Sequence, residues 1–218
     1  MKFQVLPNFE SYQIFVFDLD GLILDSLNDL SKCLVGAVSN YASESELDAF
    51  QKYDVKNPGA SRFTKVDYFL QEITQEKDPD PKRIELLNDF AERSFYARKN
   101  AQISSGFEKF VIRYQNLRHI LLSNCDNSQI VAVSEHHGIT KYFNSGIIGT
   151  PPSKELRAEA IRSEFPDSQI LSLSDSESDA VIARKSNFDF LYINEFARGC
   201  EPWILENEYR VESFSSCI

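Results

Sequence analysis

Four short apolar runs, each closed by polar residues, constrain this chain more than any other feature. They are IFVFD at 14–18, HILLSN at 119–124, QILSLSD at 169–175 and FDFLYI at 188–193. Each is too short for a buried helix and nearly continuous in Ile, Val, Leu and Phe, the pattern of a strand buried on both faces. Helical periodicity occupies intervals between them, at 107–114, 128–137 and 154–165. Strand alternating with helix predicts an α/β fold, a Rossmann-like three-layer parallel sheet with helices on both faces.

The interval after the first run breaks that rhythm. Between Ser26 and Gly106 there is no comparable strand, only the amphipathic stretches SLNDLSKCLVGAVSNY, RFTKVDYFLQEI and RIELLNDFAERSFYARK. In KDPDPK, at 77–82, the prolines stop one helix and allow the next to start. The expectation is a helical domain over 26–106, inserted into a sheet domain made of 1–25 and 107–218.

At 218 residues, 42% hydrophobic and 26% charged, the chain can bury a sizeable core and lies in the globular range. A formal net charge of −10 repels phosphate backbones and anionic bilayers, so nucleic acid and membrane are not expected partners. Cys33, Cys125, Cys200 and Cys217 show no CxxC spacing and read as free thiols in a reducing cytoplasm. The first residues, MKFQVLPNFESYQ, lack the apolar stretch of a secretory signal, and no run of 18 apolar residues occurs, so a cytoplasmic location is expected.

In a parallel sheet, ligands bind beyond the carboxyl ends of the strands. The first run delivers Asp18 and Asp20 there, the second Ser123 and Asn124, the third Asp175 followed by Asp179, and Lys154 opens the helix before the third. Three carboxylates converging at one edge repel one another unless a cation joins them. Oxygen-rich and hard, such a site suits Mg²⁺, which is held by one or two carboxylates with substrate phosphate and water. Asp and Gly also favour turns, Ser and Asn also cap helices, and a first-turn lysine is commonly solvated. Lys154 at a helix start is nonetheless unfavourable without an anion nearby.

DLDGLILDS, LLSN, PPSKELRAEAI and LSDSESDAVIARKS, in this order, resemble the four motifs of the haloacid dehalogenase superfamily. More narrowly, the chain is similar to the phosphatase branch with a helical cap after the first motif, the group of phosphoglycolate phosphatase and beta-phosphoglucomutase. The resemblance implies Asp18 as the nucleophile that forms an aspartyl-phosphate, and Asp20 as the acid and base whose carbonyl also binds metal. It implies Ser123 and the Asn124 amide as holders of the phosphoryl oxygens, Lys154 as the neutralising cation, and Asp175 and Asp179 as further supports of the metal. Gly21 would let the backbone turn beside the phosphate. Asp20 favours phosphoryl transfer over dehalogenation, since a halide leaves without a proton. PGASRF, at 58–63, resembles the substrate loop of such caps, and implies that Arg62 and Lys65 bind a second part of the substrate.

Two departures are visible: Ser174 stands where the fourth motif usually has Gly, and Leu22 where Thr or Val is usual. The expected activity is Mg²⁺-dependent hydrolysis of a small phosphorylated metabolite, a sugar or sugar-acid phosphate. A phosphomutase and a catalytically silent binding protein on the same fold are the alternatives. His136 and His137 read as the carboxyl end of a helix, Cys125 as a small buried filler, and Trp203, Tyr209 and Phe214 as core or edge packing.

Overall fold

The computed structural model describes residues 6–57, 60–198 and 208–218. In chain order, strand β1 (Ile14–Phe17) is followed by helices α1 (Leu27–Ser39), α2 (Glu44–Lys56), α3 (Arg62–Tyr68) and α4 (Pro79–Asn100). Then come α5 (Phe107–Arg113), β2 (Arg118–Asp126), α6 (Asn127–His136), β3 (Ile147–Thr150) and α7 (Lys154–Glu164). The chain ends with β4 (Ile170–Ser174), α8 (Glu177–Lys185), β5 (Asp189–Ile193) and β6 (Tyr209–Val211). Residues Ser26–Asn100 form one compact unit, and Met1–Asp25 with Ala101–Ile218 form the other.

The second unit is built on a six-stranded parallel sheet of order β3-β2-β1-β4-β5-β6. Strand β1 lies in the middle with β2 and β4 on either side, so the chain order reverses at its carboxyl end. Such a switch point opens a crevice. Alternation along the strands separates two faces. Ile14, Val16, Ile120, Leu122, Ile170, Phe190 and Tyr192 pack against Ala158 and Ile161 of α7 and Ala180 and Ala183 of α8. The opposite parity carries rings: Phe15 stacks on Phe110 of α5 at 5.7 Å and on His119 at 5.8 Å, and Phe107 meets Phe214 at 5.5 Å. Each of these phenylalanines is fully buried, contributing on the order of 1.5–3 kcal/mol. Phe214 is core and Tyr209 sits on the edge strand, as the sequence suggested.

The helical unit has its own core. Leu34, Ala37 and Val38 of α1, Phe50 of α2, Val66 of α3, and Leu86 and Phe90 of α4 come together with Phe69 and Leu70. Those last two belong to a wider π turn, Phe69–Ile73, that continues α3. Helix α2 starts at a capping box, Ser43 accepting from the Glu46 amide while Glu46 accepts from that of Ser43.

Some expectations change in detail. Strands β3 and β6 were not expected, and β2 runs two residues past Asn124. Ser123 and Asn124 do not cap the next helix, whose N-cap is Asp126. Cys33, Cys125 and Cys217 are free thiols, with Cys125 buried. Cys200, Trp203 and the Pro58 and Gly59 of PGASRF lie outside the described residues. No described helix is long and apolar enough to cross a membrane.

Gly149 on β3 marks the tightest approach next to the crevice. A Cβ there would stand 2.5 Å from Asn127 Cα, 2.7 Å from Asn127 N and 2.7 Å from the Cys125 carbonyl oxygen. All three are backbone atoms and cannot rotate away. Gly149→Ala is therefore expected to destabilise the protein by about 1–3 kcal/mol, as overpacking does, lowering the thermal midpoint by roughly 2–4 °C per kcal/mol. Calorimetry of the variant beside wild type checks this.

Candidate active site

Register sets the geometry. Phe17 pairs with Leu121 on one side and Leu173 on the other, so Asp18 stands level with Leu122 and Ser174. Ser123 and Asp175 are one step further along. By alternation Asp18 shares the face of Ile14 and Val16, the face that α7 and α8 cover.

Both helices begin at the site, each capped by a serine. Ser153 accepts from the Leu156 amide at 3.4 Å, and Ser176 from the Asp179 amide at 3.2 Å. Helix α7 buries Lys154, Arg157, Ala158 and Ile161, one stripe at helical spacing. The Lys154 ammonium donates to Asp18 Oδ1 and to Asp179 Oδ2, each at 2.7 Å. Ser174, on the same face, donates to that Asp179 oxygen as well. Val16, Leu122, Ala158 and Phe188 line, together with Asp18, Lys154 and Asp179, a small cavity of about 10 Å³.

Burial governs the charges here. It pushes the Asp18 carboxyl up to about 7; Lys154 opposes the rise, and the neighbouring Asp179 and Asp20 add to it. Asp175 is raised well above the carboxylate range by burial, then by Asp18 and Asp179. Lys154 goes above its ordinary value because the two aspartates outweigh its own desolvation. One ammonium faces three buried or nearly buried carboxylates, so ionising all of them would leave an excess of negative charge. A hard divalent cation would meet that excess, and Asp18, Asp175 and the Asp20 carbonyl are the donors suited to it. No group of three or more His, Cys, Asp or Glu side chains poised to hold a metal occurs among the described residues. Two carboxylates, a carbonyl and water are a donor set that Mg²⁺ accepts. Asp179, by contrast, spends its Oδ2 on Lys154 and Ser174.

The remaining expected residues are also placed. Gly21 has φ +83°, the left-handed conformation glycine adopts freely, and its amide bonds to the Leu24 carbonyl at 2.9 Å. Asp20, half-buried, bridges to Leu24 in the same turn. The Ser123 hydroxyl accepts from the Cys125 amide at 3.1 Å, within the irregular end of β2, and Asn124 is exposed. In the helical unit, Arg62 opens α3 with its guanidinium over the Phe63 ring at 4.5 Å. Lys65 is buried and donates to Asp54 at 2.6 Å, while Ser31 donates to the other oxygen of Asp54.

Arg157 escaped the sequence reading. It is 4% exposed, and its guanidinium donates to the carbonyls of Ser123 at 2.8 Å, Ile148 at 2.9 Å, and Pro152 at 2.8 Å. Burial pushes it down to about 10, against the pull of Asp18 and Asp179.

No protein-family model matches the chain, and no curated protein matches it in sequence. Solved structures resemble it over nearly their full length. A haloacid dehalogenase-like hydrolase from Streptococcus pneumoniae is 14% identical at a TM-score of 0.73, over 95% of this chain and 97% of that one. A predicted phosphoglycolate phosphatase from Haemophilus somnus is 17% identical at 0.71, over 95% and 96%. A beta-phosphoglucomutase from Clostridium difficile is 16% identical at 0.71, over 94% and 92%. The chain has the fold of the haloacid dehalogenase-like hydrolases.

The Lys65 geometry separates two roles. Lys65→Met leaves Asp54 buried and without its cation, and is expected to cost about 3–5 kcal/mol in urea unfolding. A purely substrate-binding Lys65 would instead raise KM with stability unchanged.

Proposed function

We propose that the chain is a Mg²⁺-dependent phosphomonoester hydrolase that acts on a small phosphorylated metabolite through an aspartyl-phosphate. The observation that carries this reading is the Lys154 ammonium held between Asp18 and Asp179 at the switch point of the sheet. The fold and its structural neighbours, hydrolases and phosphatases among them, support it.

In this mechanism a carboxylate oxygen of Asp18 attacks phosphorus as the bond to the leaving oxygen breaks, and Asp20 gives that oxygen its proton. Water then attacks the phosphorus of the phosphoaspartate, Asp20 takes the water's proton, and the bond to Asp18 breaks to release phosphate. Lys154 steadies one oxygen of Asp18 and faces the charge that develops on the phosphoryl group. Ser123 and the Asn124 amide orient the phosphoryl oxygens. Asp18, Asp175 and the Asp20 carbonyl would hold Mg²⁺, which when bound would offset the negative charge of carboxylates and phosphate together. Arg62 is the cap residue assigned to the rest of the substrate, a sugar or sugar-acid group.

Two measurements test the reading. Phosphate release from sugar phosphates, sugar-acid phosphates, nucleotides and phosphoglycolate should require Mg²⁺, cease with chelator, and fall by at least about 10³-fold in Asp18→Asn. Interconversion of sugar phosphates primed by a bisphosphorylated sugar, with little phosphate released, would point to a mutase instead.

The second is a pH effect without turnover. Asp18 holds its proton more tightly folded than unfolded, so between pH about 4 and 7 the folded state binds more protons, and Asp175 is shifted in the same direction. The Asp18 contribution therefore lowers the stability of metal-free protein as pH rises through that window, and its full penalty is present above it. Mg²⁺ relieves it only where the carboxylates are ionised. At about 100 times its Kd, Mg²⁺ should stabilise by about 2.7 kcal/mol at pH 8, much less at pH 5, and little in Asp175→Asn. Thermal melts at both pH values read all three.

A further inference from the structure

Arg157 lies one helical turn past Lys154, on the same buried stripe of α7. Two cations buried in the first turn of one helix oppose the positive end of its dipole, so each needs a reason. Lys154 has its two aspartates. The partners of Arg157 are of another kind, a set of backbone oxygens and one hydroxyl.

Its Nε donates to the Pro152 carbonyl at 2.8 Å and to that of Ser153 at 3.3 Å. One terminal nitrogen donates to the carbonyls of Ser123 at 2.8 Å and Ile148 at 2.9 Å, and the other to the Thr150 hydroxyl at 3.4 Å. Thr150 donates in turn to the Asn124 carbonyl at 3.4 Å. The rigid guanidinium fork thus joins the end of β2, the length of β3 and the loop that leads into Lys154. An ammonium, a single point donor, cannot span these acceptors at once.

We propose that Arg157 is a positioning residue, which fixes the Ser123 loop and the 150–154 loop against each other so that Ser123 and Lys154 meet the same phosphoryl group. Its kinetic consequence rests on the phosphatase reading above; the tether itself does not. Ser123 and Lys154 would contact the phosphoryl group more strongly in the transition state, as charge builds on its oxygens, than in the ground state. Misplacing them weakens most the contacts that sharpen as charge develops, so the loss falls on kcat rather than KM.

The test compares wild type, Arg157→Met and Arg157→Lys, each well below its own Tm, with p-nitrophenyl phosphate and Mg²⁺ for kinetics. Backbone hydrogen exchange of the same three proteins is followed by mass spectrometry. Arg157→Met should lower kcat about 10- to 100-fold while KM moves less than about threefold. Arg157→Lys, which keeps the charge and loses the fork, should recover no more than about a tenth of wild-type kcat. Exchange should accelerate in segments 118–126 and 147–156 and stay unchanged in β4 and β5. Unchanged kcat, full recovery in Arg157→Lys, or acceleration spread evenly over the sheet each overturns the proposal. If wild type releases no phosphate from any substrate, the phosphatase reading falls, and the exchange pattern alone then decides for or against the tether.

Discussion

The contact of Lys154 with Asp18 and Asp179 is the constraint around which the sheet unit is arranged. Burying an ammonium costs several kcal/mol, and burying carboxylates costs as much again. Neither is tolerated alone, and each offsets the other's penalty most effectively at hydrogen-bond distance. Both contacts are 2.7 Å. To hold them, β1 must be central, α7 must start level with its end, and α8 must start beside α7. Sheet order and two serine caps satisfy these three demands.

The two faces of the sheet divide the work accordingly. One is closed by rings, with Phe15, Phe17, Phe107, Phe110 and Phe214 fully buried, and the His119 imidazole packs against Phe15 and Phe17. Burial keeps that imidazole below its usual value. The other is closed by small side chains, Ala158, Ala180 and Ala183, which let α7 and α8 approach the strands closely. Close approach is what allows a side chain as short as Asp179 to meet both Lys154 and Ser174 above the sheet. The polar end of this face is continuous with its apolar floor, so the carboxylates sit in low dielectric. That is why their protons are held so tightly.

Much of this was legible in the sequence, for physical reasons that differ by element. Strands β1, β2, β4 and β5 announce themselves because strands buried on both faces need unbroken apolar runs. Strand β3, Ile147–Thr150, is only partly buried and has Gly on either side of its isoleucines, so it reads as loop. Strand β6 has three residues and sits at the edge. Asp18, Lys154 and Asp175 stand out because acids and a lysine at apolar boundaries violate local preference. Arg157 does not, since an arginine three residues along a helix reads as a solvated charge and its partners are main-chain oxygens without sequence identity. The Lys65 ion pair is hidden from the sequence for a related reason: its partner Asp54 lies eleven residues back on another helix, and only tertiary structure brings them together.

Ser174 adds a hold that the motif's usual glycine could not supply. Its hydroxyl donates to the Asp179 oxygen that already accepts from Lys154. A carboxylate oxygen with two donors is poorly placed to give electrons to a metal as well. The same two donors fix Asp179 and, through it, the ammonium. The carboxylates of the site thereby take different roles. Asp18 and Asp179 both hold the lysine, and Asp179 takes the Ser174 hydroxyl as well. A serine in place of glycine is thus more than a tolerated departure, because it steadies from the strand a carboxylate that the start of α8 otherwise positions by itself.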